Sequence, residues 1–257
     1  MARAADDKYQ VAWSLYNLAV ESMHSSEWEQ MRGYTRESLP LFEELGIEWG
    51  ISNTFWQLGQ AAFGSGEYES ARSLFEQSLE AARKEGYKSV MTFALNSLGE
   101  LARLTNDYAS AKAFYTESIQ IIRQMGHKVR LAMSLRNLGQ VALHEGDPVQ
   151  AKALFEESLA IYRQLERVRG LSGSLTGFAG VAGVAGKHKL AAQLFGAAEA
   201  SAEVTGRIID LADQVEYDRI ISRTREQLDQ ETFEAAWQAG RQMTLEQAIE
   251  YALKNLK

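Results

Sequence analysis

Shifted against itself by forty residues, the sequence matches column by column without a gap from residue 11 to residue 210. One pair of columns reads Leu18-Ala19, Leu58-Gly59, Leu98-Gly99, Leu138-Gly139 and Phe178-Ala179. Others read Met31, Ala71, Ala111, Ala151, Ala191; Thr35, Phe75, Tyr115, Phe155, Phe195; and Ser38, Ser78, Ser118, Ser158, Ala198. A register this long leaves few folds open. Each unit must be one supersecondary element whose apolar face is covered by the next, so the units stack in a row. Composition selects helices for that element. Ala, Leu, Glu, Gln and Arg are abundant, apolar residues recur at three- and four-residue steps, and Pro40 and Pro148 are the only prolines in 257 residues.

The punctuation keeps the same register. Ser26, Gly66, Asn106, Gly146 and Gly186 stand where a first helix must stop, and Gly or Asn there can take the left-handed conformation that closes a last turn. Asp147-Pro148 then reads as a capping carboxylate with proline at the first helical position. Gly46, Gly86, Gly126 and Gly206 mark the end of the second helix. Each unit is thus helix A, tight turn, helix B, turn, with units at about 11–50, 51–90, 91–130, 131–170 and 171–210.

The order Leu-Gly, then Ala, an aromatic and a small residue, clearest as Leu58-Gly59, Ala71, Phe75, Ser78, resembles the tetratricopeptide repeat. Small residues at Gly59 and Ala71 let the two helix axes approach to about 8 Å, and Phe75 is expected to fill the gap between units. The usual period is about 34 residues, so the additional length is expected at the end of helix B and the start of the next A. HEAT-like repeats run near forty residues too, but their pattern fits the small-residue columns less well. The resemblance implies an all-α fold, a right-handed superhelical solenoid with a helical cap over residues 211–257.

In that tail an amphipathic stretch from about Leu211 to Leu228 precedes a short helix ended by Gly240, and Thr244-Leu-Glu-Gln247 reads as a capping box. Phe195-Gly-Ala-Ala-Glu199, Tyr217-Asp-Arg219, Phe233-Glu-Ala-Ala-Trp-Gln-Ala-Gly-Arg241 and Thr244 through Ala252 are similar to the carboxy-terminal end of bacterial LuxR-type and related signal-transduction ATPase regulators. That resemblance implies the sensor portion of a transcriptional regulator. No phosphate-loop sequence and no helix-turn-helix candidate occurs in these residues, so neither ATP hydrolysis nor DNA binding is implied for them.

A net charge of −7 argues against direct nucleic-acid contact, which needs clustered Lys and Arg. There is no cysteine and no run of about 18 apolar residues, so neither a disulfide framework nor membrane insertion is expected, and a cytoplasmic location is the default. The four histidines are scattered; His144-Glu145 lacks the second His of a zinc motif. Nothing resembles a nucleophile with its base, so no catalysis, metal or cofactor is expected.

What a repeat array offers is a groove along its A helices. The candidate lining is Asn17, Asn53, Trp56, Gln57, Gln60, Phe93, Asn96, Ser97, Glu100, Arg103, Met133, Arg136, Asn137, Gln140 and His144. Amides and arginines suit a bound peptide, which presents backbone donors and acceptors along its length and carboxylates besides. The plainer reading is the polar face of amphipathic helices. The expected partner is a protein segment, a peptide or a small effector, in a module that senses or interacts without catalysis. The alternatives are a constitutive scaffold for self-association and, more remotely, a hydrolase regulated in trans. The glycine-rich Gly177 to Gly186, GFAGVAGVAG, falls in register with helix A and not with a phosphate loop, so its glycines are expected to allow close packing where the repeats meet the tail.

Overall fold

A computed structural model of the chain describes residues 2–205 and 211–256 and shows an all-α repeat solenoid. Five helix pairs follow the forty-residue register: α1 (Ala2–His24) with α2 (Trp28–Leu45), α3 (Glu48–Gly64) with α4 (Tyr68–Glu85), α5 (Lys88–Leu104) with α6 (Tyr108–Met125), α7 (Lys128–His144) with α8 (Pro148–Gln164), and α9 (Val168–Val184) with α10 (His188–Thr205). Three more follow: α11 (Leu211–Glu226), α12 (Gln230–Arg241) and α13 (Leu245–Asn255). Contacts divide the chain into two compact units, Met1–Ala102 with Gln120–Met125, and Arg103–Ile119 with Gly126–Lys257. In the first, α1 to α4 pack each on the next; in the second, α7 to α10 do the same.

The turns follow from single residues. Ser26, Gly66, Asn106, Gly146 and Gly186 all have positive φ, as do Gly46, Gly86 and Gly126. The ends of α2 and α4 close by the same pair of bonds: Gly46 N–H donates to the Glu43 carbonyl at 3.1 Å and Ile47 N–H to that of Phe42 at 2.9 Å, a Schellman closure. Gly206 lies outside the described residues. In the fourth unit the same slot holds Glu166, at φ 52°, bonded in the same way. A side chain in the left-handed region costs roughly 1–2 kcal/mol, and Glu166 is exposed. Glu166→Gly is therefore expected to raise stability by about 1 kcal/mol, read as a shift of the urea midpoint at unchanged slope. The Asp147 carboxylate accepts from Gln150 N–H at 2.9 Å with Pro148 at the first helical position, and Thr244 with Gln247 forms a complete capping box.

Within a pair the small column does what its size allows. A Cβ on Gly59 would lie 2.5 Å from the Phe75 ring, and one on Gly139 2.6 Å from that of Phe155, so each ring sits directly over the glycine of its own A helix. Phe155 also reaches the next unit, against Gly177 and edge-on to Phe178 at 6.2 Å. The serine column is more than small. Ser78 Oγ donates to the Ser52 carbonyl at 2.8 Å and Ser158 Oγ to that of Ala132 at 2.7 Å, each tying helix B back to helix A across 26 residues.

The end of the chain departs from the repeat. Where a sixth A helix would follow, α12 and not α11 stacks on α10. Gly240 does not stop its helix: it lies within α12, where a Cβ would fall 1.8 Å from the Gln193 carbonyl oxygen. Opposite it, a Cβ on Gly196 would meet the Trp237 carbonyl oxygen at 2.2 Å. Glu199 accepts from Trp237 Nε1 at 3.2 Å and pairs with Arg241, which also holds Glu203. Phe233, Trp237, Ala248, Ile249 and Ala252 of α12 and α13 join the apolar cluster of the last repeats.

Candidate functional site: the A-helix face

In the first unit the face is built by α1, α3 and the part of α5 up to Ala102. Asn17 is exposed on it, and Gln60, Asn96 and Glu100 are half-buried. Four candidates, Asn53, Trp56, Gln57 and Ser97, lie beneath the surface instead. Asn53 and Gln57 are fully buried against α1: the Asn53 Oδ1 atom lies 3.5 Å from the Tyr16 hydroxyl, and Gln57 Nε2 donates to the Tyr16 carbonyl at 3.4 Å. Their other ends, Asn53 Nδ2 and Gln57 Oε1, have no partner. Burial pushes the Tyr16 phenol above its ordinary range. Trp56 stacks on Phe93 at 4.8 Å, and its indole N–H donates to Ser97 Oγ at 3.0 Å, which Gln60 Nε2 also reaches at 3.4 Å. Asn96 donates back to the Thr92 carbonyl of its own helix at 2.7 Å. Forty-residue spacing brings A helices into contact, so amides and indoles on their flanks become packing between repeats.

In the second unit the same face carries a helix of this chain. Asp213, early in α11, spans two arginines from successive A helices: Arg103 Nη2 to Oδ1 at 2.9 Å and Arg136 Nη2 to Oδ2 at 3.4 Å. The three side chains are 4%, 8% and 4% exposed for Arg103, Arg136 and Asp213. One turn on, Glu216 is held by Arg219 Nε at 3.0 Å and lies 3.9 Å from His144 Nδ1. The His144 ring stacks on Tyr108, centroids 3.4 Å apart and planes 8° from parallel. Partial burial lowers the His144 pKa below its ordinary value despite the neighbouring Glu216 carboxylate. Burial, then Glu216, pushes the Tyr108 phenol up. Further along α11, Ile220 lies over the glycines of α9: a Cβ on Gly183 would be 2.7 Å from Ile220 Cγ2, and one on Gly180 3.2 Å from its Cδ1.

On this face one carboxylate, Asp213, is thus held by arginines of two neighbouring A helices. Asn137 is half-buried and Gln140 buried on α7, while His144 and Met133 are exposed. A cleft of about 590 Å³ remains beside α11, lined by His144, His188, Arg219 and Arg223 among others. Of the glycines in GFAGVAGVAG, Gly180 and Gly183 meet α11 as expected, whereas Gly177 packs on Phe155 of the preceding repeat. Asp213 and Glu216 were not among the candidate residues; their i, i+3 spacing is common on solvated helices and carries no sign of burial. Among the described residues no group of three His, Asp or Glu converges as a metal site, and no helix is long and apolar enough to cross a membrane.

A family model described as tetratricopeptide repeat matches residues 10–84 and 90–164, more than half of the chain. No curated protein sequence matches. Among solved structures, BtubC (BKLC) from P. vanneervenii is similar at 17% identity with TM-score 0.65, covering 81% of this chain and 91% of that one. The apo form of RapI is similar at 16% identity and TM-score 0.62, covering 85% and 84%. A putative kinesin light chain protein of Podospora anserina with nearly identical repeats is similar at 15% identity and TM-score 0.59, covering 76% and 96%. At these identities the likeness is one of fold.

Proposed function

We propose, because this chain belongs to the tetratricopeptide repeat family, that it is a non-catalytic module that binds a protein segment or peptide on the polar face of its A helices. Repeats of this family serve in general as protein-interaction scaffolds. The observation that carries the reading here is Asp213: a backbone helix lies on the A-helix face of the second unit with its carboxylate between Arg103 and Arg136. A face that accommodates one helix this way has the donors to hold another of the same chemistry. Asn137 and Gln140 stand on the same helix as Arg136 and supply neutral donors and acceptors to a bound backbone. Screening the full chain against an array of tiled peptides is expected to give binders. Asn137→Ala with Gln140→Ala is then expected to weaken them about tenfold or more, while the melting temperature moves little. Unchanged affinity would remove these residues from the site.

The finer reading is that the module is the sensor part of a bacterial transcriptional regulator in the cytoplasm. It is supported by the resemblance of Phe195 to Glu199 and of Phe233 to Arg241 to the ends of such proteins. In that setting the ligand acts by preferring one of two states of the whole protein. Deleting the gene would then alter a defined set of transcripts; an unchanged transcript profile would reject the regulator. A scaffold for self-association is the second reading, favoured by Val11 and Leu18, seven residues apart on α1 and both exposed.

A further inference from the structure

The geometry points to α11 as a built-in ligand of the A-helix face, and to the external partner of that face in the second unit as an acidic amphipathic helix that competes with α11 for Arg103 and Arg136. This rests on the reading of the A-helix face as a peptide-binding surface and specifies what it recognises.

Three observations carry it. First, α11 is not the main cover of the last repeat. Of the buried apolar cluster there, α12 and α13 supply Phe233, Trp237, Ala248, Ile249 and others, whereas α11 supplies Ile220, with Tyr217 and Ile221 packed at its margin. Lifting α11 would leave the α10–α12 crossing and its Glu199–Arg241 tie in place. Second, what the first turn of α11 covers is polar, while Tyr217, Ile220 and Ile221 further along rest on the last repeat. The helix lies on Arg103, Arg136, His144 and the glycines of α9, and the cleft of about 590 Å³ beside it shows that the face is not filled. Water can take back the polar part of that surface, and the apolar cost of release is confined to Tyr217, Ile220 and Ile221. Third, two buried arginines converging on one carboxylate are a poor way to stabilise a fold. Desolvation consumes most of the attraction, and such a pair acts in favour of specificity at least as much as of stability. Drawn from consecutive A helices, the guanidinium groups form a receptor for a carboxylate on an approaching helix.

The recognised pattern is therefore written on α11 itself: Asp213, Glu216 three residues on, Ile220 four further. A competitor carries two carboxylates and a β-branched apolar residue along one helical stripe. α11 begins soon after α10 ends at Thr205, so its effective concentration is high, in the millimolar range for a short tether. A free helix sees the site only in the fraction of molecules in which α11 is away, and its apparent affinity falls by that fraction.

The test uses the full chain, Asp213→Ala and the isosteric Asp213→Asn, with hydrogen exchange as one readout and a labelled synthetic peptide of residues 211–226 as the probe in trans. In both variants the amides of 211–226 are expected to lose protection while those of 230–255 keep theirs. The peptide is expected to bind the variants at least tenfold more tightly than it binds the wild type, and adding Arg136→Ala is expected to abolish that binding. Unchanged protection of 211–226 would overturn the inference. So would joint loss of protection in 211–226 and 230–255, which would make α11 a structural strut, or a released α11 with no binding of the peptide. If any of these occurs while array peptides are still captured through Asn137 and Gln140, this inference fails alone; if array capture is absent as well, the binding reading of the face fails with it.

Discussion

Gly196→Ala and Gly240→Ala are each expected to destabilise the second unit by about 3 kcal/mol, the upper end of the usual cost of overpacking. The reason is what the new methyl group meets. At the other helical glycines with a close neighbour, such as Gly59 and Gly180, it would touch a ring or an aliphatic side chain and not backbone. At Gly196 it would lie 2.2 Å from the Trp237 carbonyl oxygen, and at Gly240 1.8 Å from that of Gln193. Backbone in the middle of a helix cannot yield, so α12 must slide off α10 and loosen the Glu199 contacts to Trp237 and Arg241 with it. Gly33→Ala makes the contrast: it is an exposed position inside α2 with nothing within 4 Å. There the same change is expected to stabilise by about 0.5–1 kcal/mol through the unfolded chain. Urea unfolding measures all three, and a loss under about 1 kcal/mol at Gly240 would contradict the close crossing.

Phe155→Ala is expected to cost about 3–5 kcal/mol. The ring is fully buried and bounded by residues with nothing to offer in its place: Gly139 below, Gly177 beside it and the edge of Phe178. Its removal opens a cavity both within the fourth repeat and between the fourth and fifth. Because a repeat array is stabilised by the sum of its units and their interfaces, one substitution here weakens two terms. Calorimetry or urea unfolding would show it; a cost below about 1.5 kcal/mol would mean that the helices collapse onto the space.

The fold was legible because most of its determinants are local and are written five times. Helix ends follow from Gly66, Gly146, Asp147-Pro148 and Thr244-Gln247, each acting through its own backbone. Where local signals conflict with the fold, the fold prevails: Glu166 takes the left-handed slot that glycine takes elsewhere, and Gly240 remains helical. The serine column reads in sequence as small residues, and the hydroxyl-to-carbonyl bonds of Ser78 and Ser158 depend on the spacing of two helices. The motif that resembles bacterial regulators is also a packing motif: its glycines form the α10–α12 crossing, and its Glu199, Trp237 and Arg241 bond one another.

The candidate site was legible as a face but not in its contents. Sequence periodicity assigns Arg103, Arg136 and His144 to one stripe of the A helices, because reduced to a single repeat Arg136 stands seven and eight residues from Arg103 and His144, two turns of a helix. It does not assign depth, and Asn53, Trp56 and Gln57 lie under the surface because neighbouring A helices close over them. Nor does it name the partner of the two arginines. Asp213 stands 110 residues from Arg103, on a helix that lies beyond the forty-residue register. By itself the sequence determined the helices, their turns and the columns that let them pack, all interactions of short range repeated in register. Only the tertiary structure decided that α12 stacks in place of α11 and that α11 carries its carboxylate to the A-helix face. That choice depends on a glycine crossing and a charge pair formed between segments far apart in the chain.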